Sequence, residues 1–291
     1  MQTSRRQFLG LTALGLSAAA APAQLRAADP SAAEPSRLKL GLVTYNMAKD
    51  WDVPTVIRYC SETRFAGVEL RTTHAHGVEV HLPKAERAEV RKRFEDSPVE
   101  LMGLGSAFDY HTPDAARLRR DIEATKEYLV LAQDVGASGV KVRPNALPPE
   151  VSPEQTLEQI GRSLRELGRF AADHGQQIRL EVHGRETALL PNIQRMIAIA
   201  DHPNVGVCWN SNDSDLAGAG FDHNFDLVRD KIFTVHMRDL SIENYPWRRL
   251  LQRLNQTGYA GYCLAEIPGS TDPVRVLNYY RALFLAYQNL Q

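Results

Sequence analysis

From Leu38 to the C-terminus, short β-rich segments alternate with amphipathic helical segments at a period of roughly 30–40 residues. The predicted strands are 38–46, 67–72, 99–108, 139–144, a strand within 178–186 that runs into a loop, 205–210, 232–239 and 261–268. The predicted helices are 53–65, 84–94, 113–135, 153–174, 190–200, 226–231, 247–257 and 272–288. Such alternation is typical of two architectures, a closed barrel and an open doubly wound sheet. Eight pairs favour the barrel, and no GxGxxG follows the first strand, so we predict a single-domain α/β fold, a (β/α)8 TIM barrel over residues 38–291.

The strand that begins at Ile178 carries polar residues on one face. Alternation places Arg179, Glu181 and His183 together, opposite Leu180 and Val182. A single Glu on a strand is more typical of a solvated edge, because a buried carboxylate needs a partner. Glu181 alone therefore does not indicate a site.

Three later strands repeat the pattern. VGVCWN, IFTVHMRD and GYCLAEIP are apolar at the start and carry Asn210, His236 and Glu266 near their C-terminal ends. The carboxyl ends of parallel barrel strands form the active face of a TIM barrel. We therefore predict that these three residues meet Glu181 at one end of the barrel.

Two carboxylates, one imidazole and one amide oxygen form a mostly oxygen environment for a divalent metal ion. The predicted ligands are Glu181, Asn210, His236 and Glu266. Mn²⁺ is the first choice, with Mg²⁺, Co²⁺ or Zn²⁺ as alternatives, and none of these positions offers a thiolate.

A cation with open coordination positions stabilises the negative charge that builds on a carbonyl oxygen when the neighbouring carbon loses a proton. Glu181 and Glu266 approach the barrel mouth from opposite sides, so the pair could take a proton from one carbon and return it to another. These two glutamates are the predicted catalytic residues.

Other strand ends are polar as well. Glu69 and Arg71 share one face of the second strand, and Lys141 and Arg143 share one face of the fourth, where simple solvation is an equally good reading. The histidines that follow the second strand favour pocket lining or loop polarity over metal binding. The predicted substrate-binding residues are His183, Lys141, Arg238, His111 and Asp213.

The N-terminus is typical of an export signal. Residues 1–28 carry Arg5-Arg6, an apolar run and a small-residue cleavage region, resembling a twin-arginine signal peptide, and residues 29–37 form a polar linker. We therefore expect a periplasmic or otherwise exported protein, with no stable membrane association after cleavage.

The net charge bears on nucleic-acid binding, and the cysteine positions bear on burial. Removing residues 1–28 takes away three arginines and no acid, which changes the formal charge from −1 to −4 and gives no case for nucleic-acid binding. We expect Cys60, Cys208 and Cys263 to be buried thiols. The oligomeric state stays open, a homo-oligomer included.

The strand ends E-x-H, W-N-S-N-D, H-M-R-D and A-E-I-P resemble those of the xylose isomerase-like TIM-barrel superfamily of sugar phosphate isomerases and epimerases, over Leu38 to Leu290. That family binds its metal through Glu, Asp, His and Glu on strands 5 to 8, which implies Glu181, Asn210, His236 and Glu266 here. Asn210 departs from the family's Asp, and a neutral amide lowers metal affinity unless Asp213 supplies the charge.

The resemblance implies a carbohydrate substrate and leaves three hypotheses. The first is a metal-dependent sugar isomerase or epimerase that removes a proton next to a carbonyl. The second is a β-eliminating lyase on 3-keto-glycosides, because ELRTTHAHGVE also resembles exported members found beside oxidoreductases that make 3-keto sugars. The third is a non-catalytic sugar-binding barrel, motivated by Asn210.

Overall fold

A computed structural model describes residues 36–290 of the chain. The predicted signal peptide and all but the last two residues of the predicted linker lie outside this range, so both stay predictions.

Eight parallel strands follow one another in chain order and close into a barrel surrounded by eight helices, as the alternation predicts. The strands are β1 Lys39–Val43, β2 Gly67–Arg71, β3 Glu100–Asp109, β4 Gly139–Arg143, β5 Gln177–Glu181, β6 Val205–Asn210, β7 Ile232–Met237 and β8 Tyr262–Ala265. The helices are α1 Val53–Thr63, α2 Lys84–Glu95, α3 Ala115–Val135, α4 Pro153–Asp173, α5 Leu190–Ala200, α6 Phe221–Val228, α7 Trp247–Gln256 and α8 Pro273–Tyr287.

The barrel closes between its first and last strands. Lys39 of β1 lies opposite Tyr262 of β8, and the pairing continues to Leu42 and Ala265. In parallel pairs, residues in register point to the same face of the sheet. The pairing of Asn210 with His236 therefore sets both side chains on the face that carries Glu181.

The outward faces of the strands pack against the helices and form the main hydrophobic core. Leu180 on β5 and Val235 on β7 are fully buried there. Helix α4 shows why the helices fit this layer, because its buried apolar residues recur every three or four positions and form one face of the helix. Ser152 caps the start of α4 by accepting a hydrogen bond from the amide of Gln155.

The inward faces carry charged and polar side chains. Glu69, Lys141, Arg179 and His236 are all buried inside the barrel, beside a small apolar cluster of Val43, Met102, Tyr262 and Leu264. Two glycines on the inward face of β3 leave space for this polar interior. A methyl group on Gly103 would lie 2.6 Å from Nη1 of Arg179, and one on Gly105 would lie 2.6 Å from Oε1 of Glu69.

Helix α6 differs from the prediction. It runs from Phe221 to Val228 and is followed by a short 3-10 turn, whereas the sequence pattern predicted a helix over 226–231. Asn224 explains the earlier start, because its amide donates to the carbonyls of Asp215 and Ala217 and fixes the first turn against the preceding loop.

The remaining expectations for the described chain are simpler. Cys60, Cys208 and Cys263 are buried and unpaired, as predicted. Between residues 36 and 290, no helix has the length and apolar character needed to cross a bilayer.

Candidate metal centre

Three predicted ligands converge at the carboxyl end of the barrel. Glu181 ends β5, His236 lies near the end of β7, and Glu266 directly follows β8. One ligand atom from each lies within 4.8 Å of the other two. Nδ1 of His236 stands 3.5 Å from Oε1 of Glu181 and 3.7 Å from Oε2 of Glu266.

The other side of the His236 ring faces a third acid, Glu69. Oε1 of Glu69 lies 3.3 Å from Nε2 of His236, and both residues are completely buried. A carboxylate at this position favours the tautomer that carries the proton on Nε2 and leaves the lone pair of Nδ1 toward Glu181 and Glu266. Glu69 is thus a positioning residue for His236.

Lys141 fixes the orientation of Glu181. Its ammonium donates to Oε2 of Glu181 at 2.8 Å, and both side chains are almost fully buried. Oε1 of Glu181 then faces the cluster, where the Asn210 amide donates to it at 3.3 Å. Rotating that amide by half a turn would present the Asn210 oxygen to the same space.

The two glutamates of the cluster have opposite pKa shifts. Burial would raise the pKa of Glu181, but Lys141 and then His236 outweigh burial and hold that pKa well below its usual value. Burial is the main reason that the pKa of Glu266 is raised, and the negative charge of Glu181 adds to it. Glu181 is therefore the more firmly ionised of the pair.

His236 is a strong proton acceptor in this setting. Burial would lower its pKa, but Cys208, Glu69 and Glu181 raise it well above the usual value. Since burial also raises the pKa of the Cys208 thiol, the carboxylates are the neighbours that carry negative charge near neutral pH. A cation that binds Nδ1 must therefore compete with a proton.

The donor set fits a divalent cation. Two carboxylate oxygens and Nδ1 of His236 point at one small volume, and among residues 36–290 neither ring nitrogen of His236 has a well-aligned hydrogen bond. Buried carboxylates need a positive partner, and mixed oxygen and imidazole ligands suit Mn²⁺, Zn²⁺ or Co²⁺.

A cavity of about 540 Å³ opens above the cluster. Its walls include Glu181, Glu266 and Asn210, together with three of the predicted substrate-binding residues: His183, Lys141 and Arg238. Nδ1 of His183 is buried and has no hydrogen bond within the described chain. Burial lowers the pKa of His183, so its ring is neutral near pH 7.

The other two predicted substrate-binding residues lie elsewhere. His111 stands against Asp109, with Nδ1 2.9 Å from Oδ1, and does not line the cavity. The side chain of Asp213 is 79% exposed and pairs with Arg238 at 3.2 Å. Within residues 36–290 it is not part of the cluster of possible metal ligands.

The prediction omitted three charged residues of this region. Glu69 was recognised only as a polar strand residue, and Arg71 and Arg143 line the cavity although solvation was an equally good reading for them. The available signal was parity, because Glu69 and Arg71 alternate on β2 as Lys141 and Arg143 do on β4.

Fold and site together define a closed α/β barrel with a polar cluster at the carboxyl ends of its strands. The chain belongs to the xylose isomerase-like TIM barrel family, whose family model matches residues 57–283. Comparison with curated proteins gives no match.

Solved structures share the fold. A 3-keto-D-glucoside 4-epimerase from E. coli is 20% identical with a TM-score of 0.70, over 85% of this chain and 98% of that one. A probable 3-DHS dehydratase from Bacillus anthracis is 16% identical with a TM-score of 0.69, over 84% and 98%. The IOLI protein, solved with a zinc atom, is 14% identical with a TM-score of 0.73, over 87% and 100%.

Proposed function

We propose that this protein is a metal-dependent sugar isomerase or epimerase that removes and returns a proton on the carbon next to a carbonyl group. The observation that carries the proposal is the convergence of Glu181, His236 and Glu266 at the floor of a cavity large enough for a sugar, which the two glutamates line. The epimerases among the structural neighbours support the same reaction class.

The cation has one role in this proposal. Held by Glu181, His236 and Glu266, with the Asn210 oxygen as a further donor, a divalent cation would polarise the substrate carbonyl as a Lewis acid. Mn²⁺ is our first choice of metal, and the zinc atom in a structural neighbour keeps Zn²⁺ as an alternative.

Glu266 is the better placed of the two glutamates to move a proton. Glu181 is held on one oxygen by Lys141 at 2.8 Å and is 3% exposed. The nearest charged groups to Glu266 are more distant, with Arg71 at 4.0 Å and His236 at 3.7 Å. Glu266 can therefore rotate toward a substrate carbon, while Glu181 is oriented to accept or return the proton on the opposite side.

His183 orients the substrate. It follows β5 with the same parity as Glu181, lines the cavity, and presents a buried Nδ1 that has no hydrogen-bond partner within the described chain. A sugar hydroxyl would satisfy that nitrogen.

A β-eliminating lyase acting on 3-keto-glycosides is the second candidate. The same proton abstraction starts an elimination, and one structural neighbour is a probable dehydratase. In this case the proton that Glu266 takes from the sugar carbon would pass to the departing oxygen, so that the aglycone leaves as a neutral alcohol.

The test is proton exchange. A panel of ketoses and 3-keto sugars is incubated in D₂O with Mn²⁺-loaded protein, and deuterium at the carbon next to the carbonyl is measured by NMR or mass spectrometry. Glu266→Gln keeps an oxygen ligand but removes the base, so exchange should fall by about 10²-fold or more, with most of the metal retained. Glu158→Gln, on the exposed surface of α4, is the matched control and should exchange like the parent.

Product analysis then separates the alternatives. Exchange with release of an aglycone indicates the lyase, and exchange without release indicates the isomerase or epimerase. No exchange from any sugar, with metal demonstrably bound at Glu181 and Glu266, would overturn both enzymatic readings and leave a sugar-binding barrel.

A further inference from the structure

The charges that line the cavity are unevenly distributed. Four basic side chains face it, namely Arg71, Lys141, Arg143 and Arg238, against three acidic ones, Glu181, Asp239 and Glu266. Two of those three acids belong to the candidate metal centre. A divalent cation would offset their charge and leave a net positive charge on the cavity walls.

Three of the four basic side chains already have acidic partners. Lys141 donates to Glu181 at 2.8 Å, Arg238 pairs with Asp213 at 3.2 Å, and Arg71 lies 4.0 Å from Glu266. None of these three is fully free to neutralise a ligand.

Arg143 differs from the other three. Among the salt bridges formed by residues 36–290, none involves Arg143. One terminal nitrogen donates to the carbonyl of Ala107 at 3.3 Å, while its Nε, like that of Arg238, is buried and has no hydrogen bond in the described chain. A buried guanidinium N–H without a partner is costly unless a ligand satisfies it.

The position of Arg143 relates this group to the reaction site. Arg143 ends β4 on the same face as Lys141, one alternation further toward the cavity mouth. Lys141 lies beside Glu181, to which it donates a hydrogen bond. Arg143, two residues further along the strand, therefore lies one layer above the candidate metal ligands. A ligand held by Arg143 and by the metal centre would span the cavity from mouth to floor.

We propose that the substrate is a sugar bearing an anionic group, a carboxylate or a phosphate, and that Arg143 binds this group. The planar fork of a guanidinium matches both anions and forms strong charge-assisted hydrogen bonds. This inference rests on the proposed function, because it assigns the substrate class of the same cavity.

The experiment compares the binding of negatively charged sugars with that of their neutral counterparts. Calorimetry measures binding of D-glucuronate and of its neutral amide, D-glucuronamide, to Mn²⁺-loaded protein. Glucuronate should bind about 10-fold or more tightly, as expected for charge-assisted hydrogen bonds. D-glucose 6-phosphate against D-glucose forms the second arm, and the arm with the larger ratio identifies the anion.

Variants assign the preference to Arg143. In Arg143→Gln the glucuronate-to-glucuronamide ratio should fall toward one, and Arg143→Lys should keep part of it because the charge remains. Arg162→Gln removes an exposed arginine of α4 as the matched control and should leave the ratio unchanged. Thermal unfolding of each variant verifies the fold.

Two results would overturn the inference. One is equal binding of the charged and neutral sugars in both arms. The other is an anion preference that survives Arg143→Gln, which would mean that the carboxylate or phosphate binds the metal directly. Deuterium exchange on neutral keto sugars is independent of this outcome, so the failure of the anion site and the failure of the proposed reaction are distinguishable.

Discussion

The outward and inward faces of the eight strands are both buried, but the outward face is apolar and the inward face carries charged side chains. Outward residues such as Leu180 and Val235 are apolar and fully buried against the helices, as expected for a layer stabilised by removing hydrocarbon from water. One position away, Glu181 and His236 are equally buried but polar. TIM barrels usually fill the interior with branched apolar residues. In this barrel, charged side chains take the place of part of that apolar packing.

The largest expected effect concerns the outward face. Leu180→Ala removes a fully buried side chain one residue before Glu181. The free energy of unfolding should fall by about 2–5 kcal/mol, because the helices cannot close over the cavity left behind. Urea denaturation measures this change, and metal content per folded molecule should match the parent. Loss of metal at unchanged stability would contradict the division between the two faces.

A substitution on the inward face should weaken metal binding more than it lowers the free energy of unfolding. Glu69→Gln removes the carboxylate that faces Nε2 of His236 at 3.3 Å while keeping its size. The Kd for Mn²⁺ should rise about 10–100-fold, as for other residues that orient a ligating histidine, while the protein still unfolds cooperatively. Glu100→Gln is the matched control, because Glu100 lies at the start of β3 and contacts the exposed Lys39 and the Tyr262 hydroxyl. Equal metal affinity in both variants would remove the positioning role of Glu69.

The smallest effect, counted per pH unit, concerns a buried acid in the outward layer. Trp209 donates to the Tyr245 hydroxyl, which in turn donates to Asp215 at 2.6 Å. Burial raises the pKa of Asp215 to about 8, against an ordinary value of 3.8. Between these pH values only the folded state holds the proton, so the free energy of unfolding should decrease as pH rises from about 4 to 8, by at most about 1.4 kcal/mol per pH unit.

Asp215→Asn should remove that part of the pH dependence. Urea unfolding of parent and variant between pH 5 and pH 9 should show the parent losing stability relative to the variant as pH rises. Parallel curves would mean that Asp215 is already ionised in the folded state at low pH.

The two faces also differ in how far the sequence predicts them. Apolar alternation predicted β6 and α5 at the residues where they occur, because burial against helices selects residue types that are visible in one chain segment. The start of α6 was missed because Asn224 fixes it through carbonyls that belong to the preceding loop. A contact of this kind has no periodic pattern.

On the inward face, strand alternation predicted that Glu181, His236 and Glu266 lie together. It could not predict which of the other polar residues line the site. The position of Glu69 depends on the space that Gly105 leaves on a neighbouring strand, which no single strand reveals. His111 and Asp213 lie in segments that follow strand ends, and their directions depend on partners such as Asp109 and Arg238. Register between strands and loop contacts therefore limit prediction of the site.

The pairing of β1 with β8 has a consequence for biosynthesis. During translation Glu181 and His236 are made before Glu266, and β8 must then pair with β1, the first strand made. Contacts between distant parts of a chain form late and slowly. The three candidate ligands therefore come together only after β8 has been made, and a chain truncated before β8 lacks this arrangement.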